Sequence, residues 1–197
     1  VVRKVGKGIG AKVMQMLKDN HEIAAIIGGR YIHSVSAIIG GVSKPITEED
    51  RLSILERAQR SVSFAKESLK LFDDIVLGNP EYVDMITSDA FAHQTYYMGL
   101  VDENNHVNFY DGNVRVVTPT GEEFVKYSPE EYLDVISEHV EPWTYLKFPY
   151  LKKVGWKGFV DGADSGVYRA SPLSRLNASD GMATPEAQAM YEKFFDT

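Results

Sequence analysis

The chain has 197 residues, 44% hydrophobic and 25% charged, and its 21 basic against 28 acidic side chains leave a net charge of −7. That length suits one domain or two small fused ones, and the acidic balance excludes a generally basic nucleic-acid binder. The sequence holds no cysteine, so this chain alone makes no disulfide, thiolate nucleophile, iron–sulfur cluster or cysteine zinc site, as suits the cytoplasm.

Residues 1–19 carry Arg3, Lys4, Lys7, Lys12 and Lys18 and no acid before Asp19. Val5, Ile9, Val13, Met16 and Leu17 recur at helical spacing, which predicts an amphipathic helix weakened by Gly6, Gly8 and Gly10. These glycines match neither the dinucleotide fingerprint nor the P-loop spacing, and no strand precedes them. Over 23–46, paired glycines around short β-branched runs predict extended segments and tight turns. Thr47-Glu48-Glu49-Asp50 then caps a long helix. Its apolar stripe (Leu52, Leu55, Ala58, Val62, Ala65, Leu69, Phe72, Val76) runs to the stop at Gly78-Asn79-Pro80.

From 95 to 127 four short runs (95–101, 107–110, 113–118 and 123–127) separated by turn signals predict an antiparallel meander. Ser128-Pro129-Glu130-Glu131 reads as the start of a helix reaching Val140. An aromatic, irregular stretch, Trp143 to Tyr150, follows, then a glycine-rich one. Thr184-Pro185-Glu186 opens a last helix. The fold class is therefore α+β: long helices packed with a small antiparallel meander, with 1–90 helical, 91–183 β-rich and 184–197 the start of a further helix. No apolar run approaches the roughly 20 residues that cross a bilayer, so no membrane partner is expected.

No chemistry is self-sufficient in this pattern. The five histidines show no i, i+4 pairing that would put two imidazoles on one metal, and no nucleophile elbow is present. Lys147, Lys152, Lys153 and Lys157 interleave with Phe148, Tyr150 and Trp156, as in a single-strand groove, but an acidic chain makes a solvated loop or protein interface the plainer reading. Nucleic acid is not the expected partner.

Two segments carry a resemblance. Gly28-Gly29-Arg30-Tyr31-Ile32-His33-Ser34, followed by Gly40-Gly41-Val42, is similar to the GGR-x-x-HP…GGV segment of nickel–iron hydrogenase large subunits. Gly166-Val167-Tyr168-Arg169-Ala170-Ser171-Pro172-Leu173-Ser174-Arg175-Leu176-Asn177 resembles that family's G-x-Y-R-x-x-P-L-A-R-L-N signature. The stretch from Glu141 to Tyr150, which includes Tyr145 and Lys147, resembles the region before it. The likeness is to the methyl-viologen-reducing, heterodisulfide-reductase-associated branch, with NAD-reducing enzymes as cousins. It implies a cytoplasmic catalytic subunit whose nickel–iron centre, with cyanide and carbonyl ligands, splits dihydrogen. The electrons would pass to a small iron–sulfur subunit, then to further electron-transfer subunits.

The four thiolates that hold such a centre are missing, and the start lacks Met. The chain therefore reads as the central portion of a larger, mostly helical subunit, with no catalytic, cofactor or metal residue of its own. The resemblance makes Arg30 and His33 candidates for proton relay or for tuning a nearby cluster, or for holding a glycine turn. It makes Tyr168, Arg169 and Arg175 structural anchors, Arg175 with the better functional claim through fixed bidentate pairing, and leaves Pro172 and Asn177 as further motif candidates. The alternatives are a cysteine-free scaffold relative without metal chemistry and a binding module using the 147–157 stretch. A central piece should expose both apolar stripes, to be covered in a homo-oligomer.

Overall fold

The computed structural model describes residues 2–196, and the chain divides between Gly78 and Asn79 into two compact units. In the first unit, α1 (Val2–Gly28) is broken at Gly6, whose backbone sits at φ 85. It runs nine residues past the expected end at 19 because Ile23 to Ile27 continue the helix, and it stops where Gly29 takes φ 73. The turns expected over the following segment are present. The strands β1 (Ala37–Ile38) and β2 (Gly41–Val42) form a minimal hairpin, turning through Gly40 at φ 83.

α2 (Glu48–Phe72) begins as its capping signal predicts. Thr47 Oγ1 accepts from the Asp50 amide at 3.1 Å and the Asp50 carboxylate accepts from the Thr47 amide at 3.2 Å, satisfying two otherwise orphaned donors. A π-helical turn (Asp73–Leu77) carries the chain to Gly78. α1 and α2 are pinned by polar contacts: Lys12 with Glu67 at 2.6 Å, Ser61 Oγ donating to Met16 Sδ at 3.1 Å, and Arg60 donating to Asp19 at 2.9 and 3.0 Å.

Asp19 is 3% exposed, and among the described residues it is the one buried side chain of this unit. Neither apolar stripe is fully buried: Val13, Leu17, Leu52, Leu55 and Val62 are exposed, while Ile9, Met16, Ala58, Leu69, Phe72 and Val76 are half-buried. Val5, at the head of the first stripe, lies outside the described side chains.

The second unit has an apolar core. After α3 (Pro80–Thr87), which Asn79 caps, come β3 (Tyr96–Val101), β4 (Asn113–Val117) and β5 (Glu123–Tyr127). They form the expected meander, joined by β8 (Tyr168–Arg169) parallel to β3, in the order β5-β4-β3-β8. Of the expected strand 107–110 a single bridge remains, Val101 to Val107.

The helix expected to reach Val140 ends early. A 3-10 turn (Pro129–Glu131) and α4 (Tyr132–Val135) give way to β6 (Ile136–Val140), paired antiparallel with β7 (Lys147–Leu151). The capping box of Ser128 and Glu131 forms as read, but β-branched Ile136 and Val140 gain more from five paired residues than from a longer helix. Tyr96, Val116, Tyr127 and Leu151 close the core, and α5 (Pro172–Asn177) and α6 (Pro185–Phe195) complete the unit. The fold is α+β, as the sequence predicts, and among the described residues no helix is long and apolar enough to cross a membrane.

α5 sits directly on β3. A Cβ built at Gly99 would lie 3.0 Å from Arg175 Cα and 3.3 Å from Ala178 Cβ. Gly99→Val should therefore lower unfolding stability by about 1–3 kcal/mol through overpacking, measured by urea denaturation. In the first unit the Arg60 hydrogen bonds hold the Asp19 carboxyl below its ordinary value. The stability it contributes is present above the unfolded carboxyl value, about 4, and is lost as pH falls through the folded one. Acid titration followed by far-UV circular dichroism should show that loss, and Asp19→Asn should remove its pH dependence.

Candidate functional site

The first motif forms the C-terminal cap of α1. The Gly28 carbonyl accepts from the Val35 amide at 2.8 Å, the Ser36 amide at 3.2 Å and Ser34 Oγ at 3.1 Å, and the Ile27 carbonyl accepts from Ser36 Oγ at 2.8 Å. These bonds occupy carbonyls that a helix end leaves orphaned. Gly28 is required by closeness, since a Cβ there would lie 2.9 Å from Ser34 Oγ. Ser34, which stands where the resembled pattern has Pro, thus supplies a hydroxyl that the cap uses.

Arg30 and His33 are exposed and have no hydrogen bond or ion pair among the described residues, and His33 takes the left-handed φ of 53. The serines, not these two side chains, hold the turn. Gly40 and Gly41 lie in the β1–β2 hairpin.

The second motif runs from β8 into α5. Tyr168 and Arg169 pair in register with Tyr96 and Tyr97. Ser171 and Ser174 cap α5 reciprocally, and Pro172 fills its first turn, where the missing amide costs nothing. Asn177 ends the helix, half-buried. Arg175 lies over the Phe109 ring, 5.0 Å from its centroid, so its guanidinium is used in a cation–π contact.

In this unit the arginine that meets carboxylates is another one. Arg115, 8% exposed in β4, donates from Nε to Glu123 at 2.8 Å and from Nη1 to Asp180 at 2.8 Å and the Ala178 carbonyl at 3.2 Å. Asn105 Nδ2 donates to the other Asp180 oxygen at 2.8 Å, and Lys126 Nζ to Asn105 Oδ1 at 2.7 Å. Burial pushes the Asp180 carboxyl up, but Arg115 and Asn105 together outweigh it and hold the group below its ordinary value. The sequence signal for Arg115 is a charge set inside the apolar run Val114 to Val117.

The basic stretch is largely spent within the chain. Lys147 pairs with Glu138 at 3.0 Å, Lys152 donates to the Leu133 carbonyl at 3.3 Å, and Lys153 sits 5.6 Å over the Phe124 ring. Trp156 stacks on His139 at 4.5 Å, while Tyr145 is fully open to solvent at 95% exposure. A groove of free cations for a phosphate backbone is not what these contacts build.

Both motifs therefore serve as joints between elements. A thiolate-held metal group does not fit this chain, which has no cysteine, and among the described residues no three His, Asp or Glu side chains cluster as ligands.

No family model matches the chain. Among curated proteins it is 38% identical along its whole length to the iron–sulfur subunit of the F420-non-reducing hydrogenase of Archaeoglobus profundus, covering 40% of that protein. It is 37% identical over 95% of its length to a vhu subunit of the F420-non-reducing hydrogenase of Methanocaldococcus jannaschii, covering 42% of it. It is 31% identical over 93% of its length to the NAD-reducing hydrogenase HoxS subunit beta of Cupriavidus necator, covering 36%. The crystal structure of an NAD+-reducing NiFe-hydrogenase in the H2-reduced state superposes on 98% of the chain and 41% of the other, with a TM-score of 0.75 and 27% identity.

The chain thus spans about 40% of the length of such relatives. The hydrogenase resemblance holds, but the assignment to the nickel-bearing large subunit is corrected: the relative matched along all of this chain is named an iron–sulfur subunit. The expectation that the partner is a small iron–sulfur subunit falls with that assignment. Any cluster in that relative finds no thiolate equivalent in this sequence.

Arg115→Ala should cost about 2 kcal/mol in urea unfolding, since it removes charge-assisted hydrogen bonds and leaves the Ala178 carbonyl unmet. Arg115→Lys should not restore the loss, because an ammonium cannot span Glu123 and Asp180 as a fork does.

Proposed function

We propose that this chain is framework of a hydrogenase-complex subunit, ordering the polypeptide around electron-transfer chemistry carried out elsewhere in the assembly. What supports the reading is the joint observation that similarity to hydrogenase subunits runs through 93–100% of the chain and that the hydrogenase structure superposes on 98% of it. Both family-like motifs act as mechanical joints, and neither gathers a nucleophile, a base or a ligand set. Catalysis needs reacting groups in fixed mutual reach, and these residues do not supply them.

The partners proposed are the other subunits of such a complex, in the cytoplasm, with the metal groups held by residues outside this chain. The 147–157 stretch as an independent binding module is not favoured, because three of its four lysines are engaged internally.

The test is affinity purification of the tagged chain from its native cells, followed by mass spectrometry and a dihydrogen-dependent viologen-reduction assay. Hydrogenase subunits should co-purify in fixed ratio and any activity should track them, while the chain expressed alone should reduce no viologen. A chain recovered without any hydrogenase subunit would overturn the proposal.

A further inference from the structure

α1 has two faces. Lys12, Met16 and Asp19 lie towards α2, where each has a contact. At helical spacing, Lys7, Met14, Leu17, Lys18, His21 and Ala25 fall on the opposite side. There Met14 is 66% exposed and Leu17 47%, and a groove of about 400 Å³ runs between Met14, Leu17, Lys18, His21, Glu22 and Tyr31. The His21 and Tyr31 rings, 4.6 Å apart, wall its end. Neither Lys7 nor Lys18 has an ion-pair partner among the described residues.

Charge selects the occupant. Residues 2–18 hold five basic side chains and no acid, within a chain of net charge −7. The acid that follows, Asp19, turns to Arg60 and is neutralised there. A second copy docked face to face would set Lys7 and Lys18 against the same lysines, with Glu22 the sole acid lining the groove. A flat anionic bilayer fits a concave groove poorly, and the 79–197 unit, with 19 acidic against 9 basic side chains, would be repelled by it. An apolar groove flanked by unpaired cations is complementary to a helix with an apolar stripe and acidic edges.

We infer that this face of α1 docks an acidic amphipathic helix of another polypeptide. The inference rests on the exposure and charge of α1 and on the groove it forms with Tyr31, so it stands or falls separately from the hydrogenase reading.

The probe is a fluorescein-labelled designed peptide of about 18 residues, five helical turns, with leucines at i, i+3, i+4 and i+7 and glutamates elsewhere. It is titrated with the full chain and followed by fluorescence anisotropy. Saturable binding that weakens as salt rises is expected. Lys7→Glu with Lys18→Glu, and separately Met14→Asp, should each weaken it about tenfold or more, which is about 1.4 kcal/mol. The circular dichroism spectrum should stay unchanged, since among the described residues none of these three has a hydrogen bond or ion pair to α2 and all are exposed.

A peptide with lysine in place of glutamate, and a scrambled acidic one, should not bind. The inference is overturned by absent binding, by equal binding of the control peptides, or by affinity that ignores the substitutions. It is equally overturned by self-association in light scattering that Met14→Asp abolishes, or by binding to phosphatidylglycerol vesicles without peptide binding.

Discussion

A guanidinium inside a β-sheet must find oxygen on every side it presents, because an unpaired buried charge costs several kcal/mol. Arg115 meets that demand by drawing three segments together: β5 through Glu123, the end of α5 through the Ala178 carbonyl, and the loop beyond it through Asp180. Asn105 and Lys126 extend the same network to the turn after β3. Backbone pairing then completes what the side chains begin, with the Asp180 amide donating to the Asn105 carbonyl and the Val107 amide to the Gly181 carbonyl. With these contacts in place α5 lies across Gly99, and its Arg175 covers Phe109.

This arrangement explains why the second motif is rich in residues that look functional. Tyr168 and Arg169 must extend the sheet, Ser171 and Ser174 must cap, Pro172 must start the helix, and Asn177 must end it within twelve residues of Gly166. Each position is narrowly constrained by geometry, so the segment can be specific without touching a substrate. The first motif obeys the same logic at a helix end, where Gly28 admits the Ser34 hydroxyl and Gly29 supplies the positive φ.

What was legible in the sequence is what short-range chemistry decides. The Thr47–Asp50 box, the turn through Gly40, the meander and the helix opening at Pro185 all follow from neighbours a few residues apart. Pairing between distant segments was not legible. The start signal at Ser128 is real, yet β7, eleven residues on from Ile136, captures that residue and its successors into a hairpin. Arg115 shows itself only as a misplaced charge in a strand, because its partners Asp180 and Ala178 are more than sixty residues away. Arg175, given the bidentate role from the motif, is instead occupied by an aromatic face.

The two units rest on different physics. Residues 79–197 bury Tyr96, Val101, Val116 and Leu151 and derive stability from apolar surface withdrawn from water. Residues 2–78 bury one carboxylate and no apolar side chain among those described. A buried ion pair offsets desolvation more than it adds stability, and its best-attested service is to fix register. Asp19 fits that service: Arg60 and Gln15 grip its two oxygens, while Arg57 Nε, buried and without a hydrogen-bond partner, stands 3.9 Å away. The pair therefore sets how α1 lies on α2 and leaves the apolar faces of both helices open. A helix pair of this kind gains little free energy from its own packing, and most helical stability in proteins comes from burying an apolar face. Covering Met14, Leu17, Leu52 and Val62, all exposed, would therefore add to this unit the apolar burial that its own packing lacks.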